Sequence, residues 1–395
     1  MSDRLSENIT FIHTADVHLG RPFDSLGSRM PERREDLRAA FGRMVERAEK
    51  EKVDLFLIAG DLFDSPCPPP ADRETARAGF LRLREAGVRV FAIPGNHDFF
   101  IPGGVWSEME TAGVTVFSRP QLEWKEVPTA GIRVFGMAYD REQPRSRPLA
   151  GLQAEGGGGG GKDGAAGARI LLIHGSLEVL GEGADDAPFS EAEISRLPFD
   201  YVALGHYHRW REIGQRPLAA YPGSPSGVGM TSREAGERYF LLGRVETGEA
   251  ERGVHLERIP AGGRTIHVKE LDLSRSANPE DLFEAVRNAA GPDDLLSLRL
   301  TGVPSPEVWE AAGELEDRFE GVFFHFRVDQ SGVAALENIP DDDRFILGRF
   351  CNKLQSRIRQ TEGEERVVCE MALRLGLAAA NPPKSSAQPF SLTAS

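Results

Sequence analysis

The chain is poor in cysteine. Its 395 residues hold three, Cys67, Cys351 and Cys369, odd in number and unclustered. That excludes a disulfide framework and a thiolate zinc site, and it fits a reducing cytoplasm. Long apolar runs are missing too. The longest, DLFLIAG and RILLIHG, are strand-sized, so no membrane span is expected. The opening MSDRLSENIT is acidic and polar, unlike a secretory signal. Positive charge is also short: 47 Lys and Arg against 61 Asp and Glu leave a net charge of −14. This disfavours a protein that coats nucleic acid through a basic surface. It does not exclude one that carries its positive charge as bound metal. The length is too great for one small core and implies two or three domains.

From residue 9 to about 260, short β-like runs alternate with charged amphipathic segments. The runs are ITFIHTADVH (9–18), VDLFLIAGDLFD (53–64), GVRVFAIPGNHD (87–98), GIRVFGMAYD (131–140), ARILLIHGS (168–176) and DYVALGHYH (200–208). Between the first two, Leu37, Phe41, Met44, Val45 and Ala48 stand at helical spacing. This alternation reads as α/β with buried strands. Residues 264–329 read as strand, helix, strand, helix, strand, a small separate α/β unit. Residues 341–377 read as helical, with Phe345, Ile346, Phe350, Leu354 and Ile358 on one apolar face, and the tail from about 380 as disordered. Gly156 to Lys162 fit the phosphate-loop pattern G-x-x-x-x-G-K. However, Asp163 follows instead of Ser or Thr, and the run precedes a strand, so EGGGGGGKDGAAG (155–167) reads as a surface loop.

Polar residues gather where the apolar runs end: Asp16 and His18, then Asp61 and Asp64, then Asn96, His97 and Asp98, then His174, then His206 and His208. Six of the nine histidines lie in these runs. The carboxyl ends of strands in an α/β sheet share one edge, where ligands bind. Residues two apart in a strand face the same way, so the D-x-H and H-x-H pairs each aim two side chains at one place. Imidazole and carboxylate donors without thiolate suit Mn, Fe or Zn better than Mg or Ca. The set is too large for one ion and sufficient for two. Each piece alone has an ordinary reading, such as a turn, a capping pair or a satisfied histidine. Five together, in this order, would require five coincidences.

The series D-x-H, G-D-x-x-D, G-N-H-D, a strand-end His and G-H-x-H resembles the calcineurin-like metallophosphoesterases. HTADVHLG, GDLFD, IPGNHD and YPGSP are similar to the SbcD-type DNA repair exonucleases, in particular the YhaO-like branch. The motifs cover residues 10 to about 226. The resemblance implies a four-layer α-β-β-α sandwich over 1–262, a capping domain over 263–335, a helical ATPase-docking segment over 336–379 and a disordered tail over 380–395. It implies two divalent ions, with Mn2+ expected. One would be held by Asp16, His18, Asp61 and His208, the other by Asp61, Asn96, His174 and His206, with His97 free of metal and facing the scissile phosphate. Such a pair, about 3.5–4 Å apart, clamps a phosphoryl group and lowers the pKa of a shared water. Asp98 either orients His97 or closes the turn. Many of these nucleases carry His where this chain has Asp64, a position tied to handling the phosphate in exonuclease action. Asp64 is therefore carried over as a substrate-binding residue, and it argues against strong processive exonuclease activity.

The expected protein is a cytoplasmic Mn2+-dependent DNA exonuclease or endonuclease, with DNA and an SbcC-like coiled-coil ATPase as partners, no membrane, and homodimers as in much of the family. One rival is a phosphodiesterase for a small nucleotide or other phosphoester, since the same site does that chemistry. Another is a metal-bound scaffold that regulates the ATPase. The remaining histidines, His255, His267 and His325, and Cys67 in SPCPPP read as structural or incidental.

Overall fold

A computed structural model describes residues 8–127, 132–150, 152, 168–178, 186–246, 253–302, 304–333 and 346–380. The glycine run at 155–167, the start of the helical segment at 336–345 and the tail beyond 380 lie outside the described residues. Two compact units emerge, one within 1–229 and 236–264, the other within 230–235 and 265–395.

In the first unit, β1 (Asn8–Thr14), β2 (Leu55–Ala59), β3 (Arg89–Ile93) and β4 (Val114–Val116) run parallel. Every residue of β2, LFLIA, is buried, as expected for a strand covered on both faces. The crossovers contain α1 (Met30–Glu51), α2 (Pro70–Glu85) and α3 (Val105–Thr111). The stripe Leu37, Phe41, Met44, Val45 and Ala48 is buried on α1, as its spacing predicts. Two antiparallel strands, β11 (Tyr239–Glu246) and β12 (Val254–Pro260), complete the sheet in the order β12-β11-β1-β2-β3-β4.

The second sheet holds β5 (Glu123–Val127), β6 (Ile132–Gly136), β7 (Arg169–His174), β8 (Tyr201–Gly205), β9 (Arg211–Ile213) and β10 (Leu218–Tyr221). Its order is β5-β6-β7-β8-β10-β9, parallel except at its two edge strands. Strand alternation divides the apolar residues. Phe11, Leu57 and Phe91 meet Val134, Ile170 and Ala203 between the sheets. Ile12, Phe56 and Ile58 pack under α1 to α3 on one side, and Leu171, Val202 and Leu204 pack with Phe189, Ile194 and Leu197 on the other. The result is an α/β sandwich of two face-packed sheets. Its parallel strands all deliver their carboxyl ends to the same side, which positions the site.

The second unit contains the parallel sheet β13 (Ile266–Asp272), β14 (Leu295–Gly302) and β15 (His325–Val333), in that order. Its helices Pro279–Arg287 and Pro306–Gly313 begin on the side-chain caps Asn278 and Ser305. Leu282, Val286, Leu298, Leu300, Val308 and Phe319 form its core. His267 bonds Asp294 at 3.0 Å, a structural role. Further on, the apolar pattern read as one helical segment resolves into two helices, Ile346–Ile358 and Gly363–Ala380. Gly363 stands at φ 63°, where a left-handed turn separates them. No described helix is long and apolar enough to cross a membrane.

Candidate metal centre

The backbone at the strand ends is unusual. Asp16, His18, Asp61 and His206 have φ of 54°, 52°, 51° and 111°. They are four of the seven non-glycine residues with positive φ among the described residues. Each such residue costs on the order of 1–3 kcal/mol and persists only where its surroundings enforce it, which is typical of functional sites. Here backbone hydrogen bonds do the enforcing: Asp16 N–H to Gly60 O at 3.2 Å, His18 N–H to Asp61 O at 3.0 Å and Asp64 N–H to Leu19 O at 3.0 Å. Two glycines make room. A Cβ on Gly60 would collide with the His174 ring, and one on Gly95 would collide with the Asp61 carboxylate.

The side chains named from the sequence converge. Asp61 Oδ2 lies 3.5 Å from His174 Nε2 and 3.8 Å from His18 Nε2. His208 Nε2 lies 3.2 Å from His18 Nε2 and 3.9 Å from Asp16 Oδ1. Asn96 Oδ1 lies 2.8 Å from His174 Nε2. The His206 ring sits 5.3 Å from that of His174, and its backbone N–H donates to both Asp16 oxygens at 3.1 Å. Three overlapping groups have ligand atoms within 4.8 Å of one another: Asp16–His18–His208, His18–Asp61–His97 and Asp16–Asp61–His174. His97 therefore stands at the edge of the cluster, with 39% of its side chain exposed while His18 and His174 are fully covered.

The donor set fits cations. His174 Nδ1 donates to the Ala59 carbonyl at 2.9 Å, so in the neutral ring Nε2 is a lone pair facing two oxygens, Asn96 Oδ1 and Asp61 Oδ2. His18 Nδ1 donates to Asp64 Oδ1 at 3.1 Å, which leaves its Nε2 lone pair facing His208 Nε2. Acceptors aimed at acceptors in a buried place require a positive charge between them. A protein ligand held through its second ring nitrogen is the usual arrangement around a metal.

Without an ion, protons on the histidines supply that positive charge. Burial opposes charge on Asp61, yet the imidazoles of His174, then His18 and His97, hold its carboxyl well below the usual range. Burial opposes charge on His174 as well, but Asp61 and then Asp16 push it up to about 9. Asp16 is raised because burial outweighs His208 and His174. His206 is lowered to about 3 by burial and then by His174.

Asp64 lies at the site with its carboxylate already engaged: Oδ1 also accepts from Arg21 Nη1 at 2.9 Å. Burial favours its neutral form, but His18 and Arg21 lower its pKa overall. Sequence reasoning misses Arg21, because nothing in the spacing HLGR marks it. It also misses Tyr139, although GIRVFGMAYD ends on polar residues as the other runs do. The Tyr139 N–H bonds Pro94 O at 3.2 Å, its hydroxyl donates to Asp186 Oδ1 at 2.5 Å, and it lines a cleft shared with Met137, Asp140, Ile173 and His174.

Residues 9–210 match the calcineurin-like phosphoesterase family. The chain is 30% identical over 308 residues to the metallophosphoesterase YhaO of Bacillus subtilis, covering 75% of this chain and 70% of that protein. It is 28% identical over 244 residues to the DNA double-strand break repair protein Mre11 of Saccharolobus solfataricus, covering 58% of each. It is 24% identical over 276 residues to the SbcD component of the SbcCD nuclease of Escherichia coli, covering 61% of this chain and 66% of that one. The fold of this family implies a dinuclear site for divalent ions, and the clustered donors above are candidates for it. The chain belongs to the calcineurin-like phosphoesterase family and is a metal-dependent phosphodiesterase.

Proposed function

We propose that the protein is a nuclease that hydrolyses phosphodiester bonds in DNA, with Mn2+ as its working ion. The observation that carries the reading is the convergence of side chains from five strand ends on one buried set of opposed acceptors. Asp16, His18, Asp61 and His208 would hold one ion; Asp61, Asn96, His174 and His206 would hold the other. Bound divalent ions supply electrophilic stabilisation of a phosphoester and lower the pKa of a coordinated water. The mixed imidazole, carboxylate and amide donors favour Mn, Fe or Zn.

His97 is the catalytic residue that is not a ligand. Its backbone N–H donates to Asp61 Oδ1 at 2.9 Å, and its Nδ1 lies 3.3 Å from the Asp64 carbonyl, so Nδ1–H donates there and Nε2 stays free. With a second proton on Nε2, that ring can donate it to the leaving oxygen or stabilise charge developing on the phosphate. Asp64 serves this site by holding His18 and Arg21.

DNA as substrate is supported by the likeness to proteins named for DNA break repair and nuclease activity. A large coiled-coil ATPase is the proposed partner. Phe350, Val368, Met371 and Leu375 leave apolar surface on the two C-terminal helices, within the proposed docking segment 336–379. Residues 1–262 are proposed as the nuclease domain and 263–335 as the cap.

The test is hydrolysis of end-labelled duplex and hairpin DNA with Mn2+ or Mg2+, with and without the ATPase, beside bis-p-nitrophenyl phosphate. Metal-dependent cleavage of DNA is expected, best in Mn2+. His97→Ala should slow it by about 10²–10⁴-fold while calorimetry still shows metal bound. Cleavage of the small ester alone would overturn the nuclease reading.

A further inference from the structure

Two aromatic rings stand two residues beyond histidines of the site, Phe99 after His97 and Trp210 after His208. Two residues of chain span at most about 7 Å. Each ring carries a guanidinium. Arg141 lies over Phe99 at 4.2 Å from the ring centre. Arg258 lies over Trp210 at 5.8 Å and over Tyr239 at 4.9 Å. Both arginines are exposed, and among the described residues neither has an ion-pair partner.

The fold places both stacks on the catalytic edge. Tyr139, two residues before Arg141, bonds Pro94 at the root of the loop bearing Asn96 and His97. On the other flank, Arg258 is paired with Leu241, which in turn is paired with His13, near the carboxyl end of β1. Arg238, adjacent to Tyr239, donates to the His208 carbonyl at 2.7 Å. The site is thus bracketed, by Arg141 after β6 and by Arg258 beside the end of β8.

A guanidinium stacked on a ring is held flat while its edge donors stay free, a form suited to phosphate. In a chain of net charge −14, two arginines without acidic partners beside the site stand out. We propose that Arg141 on Phe99 and Arg258 on Trp210 and Tyr239 are two phosphate contacts that guide a polynucleotide strand across the metal centre and favour a polymer over a small phosphoester. This rests on the nuclease reading above.

The experiment compares R141A, R258A and the double variant with R77A, which removes an arginine paired to Glu74 on the far helix α2. Binding of a labelled single-stranded oligonucleotide is followed by anisotropy across a KCl series in the H97A background. In the H97-containing enzyme, kcat/KM is measured for the oligonucleotide and for bis-p-nitrophenyl phosphate. Each arginine lost should reduce the slope of log K against log salt by about 0.7. It should also cut the ratio of the two kcat/KM values about tenfold, mainly through KM for the oligonucleotide. If R141A and R258A match R77A while the unsubstituted enzyme cleaves the oligonucleotide, this proposal fails alone. If the unsubstituted enzyme hydrolyses the ester and leaves the oligonucleotide intact, the nuclease reading fails and takes this one with it.

Discussion

Asp98 Oδ1 accepts the N–H of Gly95 at 2.7 Å, closing the turn that presents Asn96 and His97. Its other oxygen accepts the N–H of Phe63 at 3.1 Å, which ties that turn to the segment after β2. The Trp106 indole donates to the Asp98 carbonyl at 2.7 Å. Of the two roles open from sequence, the structure displays the turn carboxylate. Asp98 is fully buried, and burial with the Asp61 charge pushes it up to about 7, against the two N–H donors. Asp98→Asn offers one acceptor oxygen to two backbone donors, so one donor goes unpaired. Urea unfolding should show a loss of about 1–3 kcal/mol. Activity should fall through kcat, because Asn96 and His97 lose their frame. Unchanged stability would refute this role.

Asp64 is the outer partner of His18, and such partners typically contribute 10–100-fold to metal affinity. Asp64→Ala should therefore weaken binding of one ion by about that factor while the other ion binds as before. Titration calorimetry with Mn2+ reads both. A loss of catalysis with both affinities intact would move Asp64 from holding His18 to contacting substrate.

Asp61 faces both halves of the site, through His174 at 3.5 Å and His18 at 3.8 Å. Its histidines also hold it ionised against burial. Asp61→Asn removes that charge from both proposed ions. The bound metal, counted by elemental analysis after gel filtration, should drop from two ions per chain to one or fewer. Two tightly held ions in the variant would disprove the bridge.

The site is legible in sequence because its donors occupy strand ends, and strand ends announce themselves as apolar runs that stop on Asp, Asn or His. The partners that hold those donors are not legible. Asp98 reaches Phe63 across 35 positions, and Asn96 meets His174 across 78. No local period encodes such pairings; they follow from how the two sheets face each other. Arg33 is a different case: four residues before Leu37 and eight before Phe41, it lies on the buried face of α1, where its charge alone would argue for the surface. It is 1% exposed, bonding the Gly227 carbonyl at 2.8 Å and the Ser226 hydroxyl at 3.1 Å, and it anchors the YPGSPSG stretch. The break between the two C-terminal helices is marked in the sequence, although the single helical reading runs through it: RQTEGEER (359–366) has no apolar residue, and Gly363 within it stands at φ 63°.

His13 offers a prediction about stability instead of chemistry. It sits fully buried, with Nδ1 2.8 Å from the Tyr201 hydroxyl and Nε2 without a partner. Burial lowers its pKa to about 3 from 6.5, against a backbone contact at Leu204 that works the other way. A histidine depressed in the folded state binds fewer protons than it does unfolded. Its contribution to stability is therefore intact above 6.5 and is lost as the pH falls from there toward 3. Between pH 7 and pH 5 the loss from this one group should be about 2 kcal/mol. The double variant His13→Phe, Tyr201→Phe removes both polar groups at similar volume, so no orphaned hydroxyl confuses the comparison. Urea midpoints of the metal-free proteins at pH 7 and pH 5 should fall less in the double variant, by that amount. Parallel decline of the two proteins would show that His13 is not the group whose protonation loosens the sandwich.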